Sequence, residues 1–276
     1  MRHASIARLT FAALLLVVFA GGSPTAAQSS SAPAKPKSGA PPAGVAAHPK
    51  PTIVLVHGAF ADALGWQRLI PILQRDGYDV LAVEMPLASL AGDVETTKRF
   101  LGAVKGPVVL VGHSYGGGVI TGAAAGNSNV KALVYLAAFA PEGGEPLGAF
   151  GEKYPVDLNS ALQPDSAGFL YVDRARFRAL FCADLPATDA KVAAATQKPV
   201  HNSVFGASVP VAAWKTIPSW YLVSQDDHAI NPDLERFYAK RMNAKTSEVK
   251  SSHVAFISHP DVVAKLIEQA AAGAAK

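Results

Sequence analysis

From residue 51 onward the chain alternates between short apolar runs rich in Val, Ile, Leu and Tyr and longer stretches with helical spacing. The runs at 52–57, 78–83, 108–112, 131–136, 220–224 and 247–250 read as strands. Between them, 66–75, 93–104, 117–125, 233–242 and 261–271 carry helical periodicity or helix-start signals, with Asp93 and Asp233 as expected N-caps. Strands alternating with helices predict an α/β fold, a mostly parallel sheet of about six or more strands covered by helices on both faces. No internal repeat interrupts the pattern.

The alternation fails between residues 141 and 211, where the chain between two strands is far longer than one crossover helix requires. This segment holds Phe150, Tyr154, Phe169, Tyr171, Phe177, Phe181 and Phe205 among helical stretches at 174–182 and 187–197. It predicts an inserted helical lid over the strand ends, lining a site with aromatic rings. The competing reading is that the rings only form the insertion's own small core.

The N-terminus follows different rules. Arg2 and Arg8 precede an uncharged apolar segment at 9–20, then small residues through Ala27, the layout of a secretory signal peptide. The apolar part is short against the roughly 20 residues a spanning helix needs, so cleavage, with no membrane anchor left behind, is preferred to an uncleaved anchor. Residues 28–50 are almost entirely Ser, Ala, Pro, Gly and Lys, a composition unable to offset the entropy of ordering, and read as a disordered tether. The domain proper is then 51–276, and the protein is expected to be exported, to the periplasm or beyond.

The leader and tether also explain the charge. They hold five of the 25 basic residues and precede the first acid, Asp62, leaving 20 basic against 21 acidic side chains in the domain. The formal +4 therefore gives no case for a nucleic-acid surface. The expected partner is a small-molecule substrate, and no oligomeric state is read from the sequence. Cys182 is the sole cysteine, so no intrachain disulfide forms, and it reads as a buried small hydrophobe rather than a reactive thiol.

The candidate chemistry begins at VVLVGHSYGGG, residues 108–118, where a strand runs into G-x-S-x-G and small residues suited to opening a helix. This is a nucleophile elbow: Gly112 and Gly116 leave room where a Cβ would collide, Ser114 is lifted above the sheet edge, and the Tyr115 N–H faces developing negative charge. A serine hydroxyl needs a base, and the base needs a group that fixes its tautomer. His253, in EVKSSHVAF, follows the last strand. Asp226 and Asp227 follow WYLVSQ in the same relation to the strand before. Asp227 is preferred because of the D-H-A-I-N-P turn it opens; Asp226 is the alternative. The first strand ends in V-H-G-A-F, where Gly58 permits a sharp turn and Ala59, or failing it Phe60, supplies the second oxyanion N–H. The other histidines have plainer readings, His57 as a backbone-bonded loop residue, His113 as a variable position of the elbow, His228 and His259 in solvated loops and His201 in the insertion. No metal-ligand spacing and no G-x-G-x-x-G fingerprint occurs, so no metal, nicotinamide or flavin cofactor is expected.

Taken in order, VLVHGAF, GHSYGG, SQDDHAINP and SSHVAF resemble the α/β-hydrolase superfamily across residues 52 to about 270. The HGAFAD-x-x-GW start, the SWYLVS strand and PDLERFYAKRM are similar to small bacterial esterase-like proteins related to plant methyl esterases and hydroxynitrile lyases. The resemblance implies the α/β-hydrolase fold, Ser114, Asp227 and His253 as a triad, and Ala59 and Tyr115 as oxyanion donors. Together these readings predict an exported, cofactor-free serine hydrolase of carboxylic esters acting through an acyl-enzyme. The alternatives are a cofactor-free lyase or carbon–carbon bond hydrolase on the same fold, or a ligand-binding protein with a slow triad.

Overall fold

A computed structural model describes residues 50–274. The leader, and the tether apart from Lys50, lie outside the described residues. In chain order the elements are β1 (Thr52–Val56), α1 (Ile70–Arg75), β2 (Val80–Val83), α2 (Leu90–Ala103), β3 (Val108–His113), α3 (Tyr115–Ala123) and β4 (Val130–Leu136), followed by the inserted segment. The insertion contains β5 (Leu162–Pro164), β6 (Phe169–Val172), α4 (Phe177–Phe181), α5 (Ala187–Thr196) and β7 (Val200–His201). The chain then completes the sheet layer with β8 (Ser219–Ser224), α6 (Pro232–Arg241), β9 (Lys245–Val249), α7 (Ala255–Ser258) and α8 (Pro260–Ala274).

Six strands form one parallel sheet in the order β2-β1-β3-β4-β8-β9. The central strands β1, β3 and β8 are buried at every position, which is why they read as unbroken apolar runs. Edge strand β9, KTSEV, is exposed over most of its length and correspondingly polar. The α/β-hydrolase architecture expected from the sequence is the one observed.

Several local expectations are corrected. Asp93 does not cap α2: Ser89 does, its Oγ accepting from the Gly92 N–H at 3.2 Å. Asp93 lies one turn inside, fully buried, and accepts from the Leu87 N–H at 3.0 Å and the Tyr115 hydroxyl at 2.7 Å. Asp233 does not cap α6 either, because Asn231 Oδ1 accepts its N–H at 2.9 Å and Pro232 takes the first helical position, where a missing N–H costs nothing. The single helix expected at 66–75 is a 3-10 turn, Ala63–Arg68, followed by α1, with Pro71 at the start of the second piece. The lid is mixed rather than helical. β5, β6 and β7 form a three-stranded antiparallel sheet in which the β-rich run Phe169–Val172 is the central strand. Gly168, at φ +85°, supplies the turn into that strand.

Candidate active site

The elbow between β3 and α3 is built by steric exclusion. Ser114 sits at φ +55°, ψ −124°, a conformation costly for any side-chain-bearing residue and held by what surrounds it. A Cβ on Gly112 would stand 2.6 Å from the Gly116 carbonyl oxygen, and one on Gly116 would stand 2.5 Å from those of Val56 and His57. The backbone of the first-strand loop passes close as well: a Cβ at Gly58 would meet Ser114 Cβ at 2.7 Å. The turn after β1 and the start of α3 therefore flank the serine. Among the described residues the N–H groups of Ala59, Phe60 and Tyr115 make no hydrogen bond. The Tyr115 side chain is pinned below by its hydroxyl bond to Asp93, and burial pushes that phenol well above its ordinary range, so it stays a neutral donor.

His253 lies on the loop between β9 and α7. Its Nδ1 donates to Asp227 Oδ2 at 2.5 Å, with both side chains almost completely buried. The other Asp227 oxygen accepts the N–H groups of Ala229 at 2.6 Å and Ile230 at 3.0 Å, so the D-H-A-I turn folds around this carboxylate. Asp226 is exposed and takes part only through its backbone N–H, bonded to the Ser251 carbonyl at 3.1 Å. His253 Nε2 is buried without a partner among the described residues. No hydrogen bond joins it to Ser114, although both residues line the same cavity.

That cavity, about 310 Å³, has Ser114 and His253 in its floor and mostly apolar walls, including Phe139, Leu147, Leu158 and Leu162. Asn159 and Asn231 are its amide residues, and no Asp, Glu, Lys or Arg lines it. Of the seven aromatics expected to line the lid, Tyr154, Phe181 and Phe205 do so. Of the other four, three hold the insertion together or pack it on the sheet layer: Phe150 against Tyr154, Phe237 and Tyr238, Phe177 against Phe181, and Phe169 against His201. Both readings of the insertion thus apply, each to different rings.

Three residues near the site carried no signal in the sequence. His113 is fully buried and its Nε2 donates to the His253 carbonyl oxygen at 2.9 Å, fixing the loop that presents the imidazole. Burial, with His253 beside it, holds His113 well below its ordinary range and therefore neutral. Asp184, in the insertion, accepts from the Ser251 hydroxyl at 3.0 Å, the Ser252 N–H at 3.0 Å and the Ser252 hydroxyl, tying the cap to that same loop. Glu235 on α6 is completely buried and binds the Ser224 N–H at the end of β8 at 3.0 Å. His57 has the plain role expected: Nδ1 donates to the Gly58 carbonyl at 2.8 Å and Nε2 accepts the Met85 N–H at 3.1 Å, which requires a neutral ring. Cys182 is buried, and desolvation with Asp184 nearby pushes its thiol up to about 12, so it is no nucleophile at neutral pH. Among the described residues no group of three or more His, Cys, Asp or Glu side chains is placed to hold a metal ion.

The sequence matches the profile of the alpha/beta hydrolase family over residues 53–266. It is 30% identical over 244 residues to the alpha/beta hydrolase nvfD of Aspergillus novofumigatus, covering 80% of this chain and 97% of that protein. Identity to the polyneuridine aldehyde esterase of Rauvolfia serpentina is 23% over 248 residues, 78% of this chain and 93% of the relative. Among solved structures, a pyrethroid hydrolase from Sphingobium faniae superposes with a TM-score of 0.68 at 23% identity, covering 80% of this chain and 97% of its own, a likeness of fold.

Proposed function

The chain belongs to the alpha/beta hydrolase family and is an esterase-like hydrolase; from that premise we propose that it is an exported serine esterase that cleaves uncharged carboxylic esters through an acyl-enzyme. One observation carries the proposal: His253 is locked to Asp227 through Nδ1 while its Nε2 is left unpartnered in the cavity that also exposes the strained Ser114. In the substrate complex Ser114 Oγ attacks the acyl carbon as His253 Nε2 takes its proton. Asp227 stabilises the imidazolium and keeps Nδ1 as the donor. The tetrahedral oxyanion is held by the backbone N–H groups of Ala59 and Tyr115. Collapse breaks the bond to the alkoxide, which leaves with the proton from His253. Water then gives a proton to His253 and its oxygen to the acyl carbon, releasing the acid and regenerating Ser114. The apolar lining, free of carboxylates, ammonium and guanidinium groups, suits a neutral ester with an apolar or aromatic acyl part. Export rests on the leader at 1–27.

The test is turnover of short-chain and aromatic p-nitrophenyl esters by the purified protein and by Ser114→Ala. Multiple turnovers that fall by at least about a thousandfold in the variant are expected. A single stoichiometric burst overturns the proposal in favour of a receptor. Cyanohydrin cleavage without ester turnover overturns it in favour of a lyase.

A further inference from the structure

Asp227 does not stand alone beneath His253. Glu235, eight residues on in the sequence, reaches back from α6 to the Ser224 N–H at the end of β8, three residues before Asp227, which brings the two carboxyl groups beside each other. Both are buried, and two such groups in contact cannot both carry charge without solvent or a cation between them. Arg236, the cation adjacent on α6, is partly exposed and bound to Asp233 and Glu248. Of the phenols nearby, Tyr221 on β8 donates to the Ala138 carbonyl, and the Tyr238 hydroxyl, one turn along α6, is buried without a partner among the described residues. Burial raises both phenols above their ordinary range.

The hydrogen-bond inventory decides which carboxyl keeps the charge. Asp227 accepts three N–H groups, from Ala229, Ile230 and His253. Glu235 accepts one, from Ser224 to Oε2, while its Oε1 is buried with no donor among the described residues. An acceptor-only oxygen in that position is costly, whereas a protonated Glu235 carboxyl has an acceptor beside it in the Asp227 carboxylate. We propose that Glu235 retains its proton and, as a neutral carboxylic acid, donates a hydrogen bond to Asp227, making it a positioning residue behind the acid that orients His253. Desolvation, with Asp227 next, raises Glu235 well above the ordinary carboxylate range, in the same direction as this inventory. The bond shares the Asp227 charge between His253 and Glu235, so it restrains how strongly the carboxylate favours imidazolium while fixing its orientation. The assignment rests on the reading of Asp227 as the triad acid.

Two measurements test it, one of them independent of activity. Infrared difference spectra of the wild type against Glu235→Gln at pH 8 in D2O should show a protonated-carboxyl C=O stretch lost in the variant; the Asp93 carboxyl is common to both and cancels. Kinetically, glutamine in place of the protonated acid keeps a donor (its NH2) and an acceptor oxygen, whereas Glu235→Leu offers neither. The leucine variant is expected to lose about tenfold in kcat with little change in KM, and the acidic edge of its kcat/KM profile should move to higher pH. Glutamine should restore kcat to within about threefold of the wild type and return the edge. Absence of the infrared band, or a glutamine variant as impaired as the leucine one, overturns the proposal; if the leucine variant does not fold, the spectrum and the glutamine variant decide it. Should the wild type cleave no ester at all, the esterase reading fails while the spectrum still decides the protonation of Glu235.

Discussion

The sheet layer and the inserted cap are built on different principles. In the sheet, β1, β3 and β8 are buried at every position, and the parallel ladder fixes register across β1, β3, β4 and β8. The cap shares the apolar core through residues such as Leu147, Leu158, Phe181 and Val209, and it is also tied to this layer by scattered polar contacts. Lys198 binds Glu84 and the Met85 carbonyl, the His201 N–H meets the Leu87 carbonyl at 2.9 Å, Asp184 holds Ser251 and Ser252, and Arg68 pairs with Asp189 across an exposed seam. The groups proposed to make and break bonds all stand on the sheet layer. The cap contributes cavity walls. A division of this kind lets the walls change without moving the reacting atoms, and it predicts that damage to the two regions registers in different kinetic constants.

The sharpest way to break the comparison is Asp227→Asn. The side-chain volume is kept, and the Ala229 and Ile230 N–H groups can still find an oxygen, but an amide NH2 facing His253 forces the wrong tautomer toward Ser114. kcat should fall by about 10³–10⁴-fold with KM and the unfolding midpoint little altered. Steady-state kinetics beside a urea titration check this, and retention of more than a tenth of the activity would remove Asp227 from the mechanism.

Phe205→Ala addresses the other region. Phe205 belongs to the cap, lines the cavity, and makes no ring contact with His253. Removing it takes away apolar wall without touching the reacting groups, so KM for an aromatic ester should rise about tenfold, or roughly 1.4 kcal/mol, while kcat stays within about threefold. The inverse pattern, with kcat lost and KM kept, would show that the cap shapes the transition state and that the division drawn above is false.

The same division explains what could be read from the sequence. Strands buried on both faces leave a compositional trace, so the sheet was visible from Ile53 to Val223, and Gly112 and Gly116 marked the elbow because their neighbours admit no Cβ. Of the two aspartates it is Asp227 whose carboxylate meets His253, in a turn held by the Ala229 and Ile230 N–H groups, a contact that neighbouring turn residues make legible. The cap left little trace, because short strands such as Leu162–Pro164 and Val200–His201 have too few residues for periodicity. Asp93 and Asp233 misled because an acid near a helix start satisfies capping statistics whether it caps or, as Asp93 does, serves a tertiary contact from within the first turn. His113 and Asp184 act through residues distant in sequence, and Glu235 reaches back across a turn of no helical or strand spacing, so periodicity holds no record of these pairs.

The smallest effect concerns the seam between the two regions. Burial opposes the charge on Asp184, but hydrogen bonds from Ser252, Ser258 and Ser251 outweigh it and hold the carboxyl below its ordinary value. A carboxyl depressed in the folded state stabilises the fold fully above its unfolded value, near about 4, and that contribution drains away as pH falls through the folded value. Asp184→Asn removes the charge and one acceptor. Because the side chain is 26% exposed and partly screened, the loss at pH 7 should be below about 1 kcal/mol. Urea midpoints of the two proteins should therefore differ slightly at pH 7 and converge as pH falls below about 4, where the wild-type carboxylate protonates. A gap that persists or widens under acid would mean that the clamp is held by shape rather than charge, and the cap would then be joined to the His253 loop by the same kind of packing that holds the sheet.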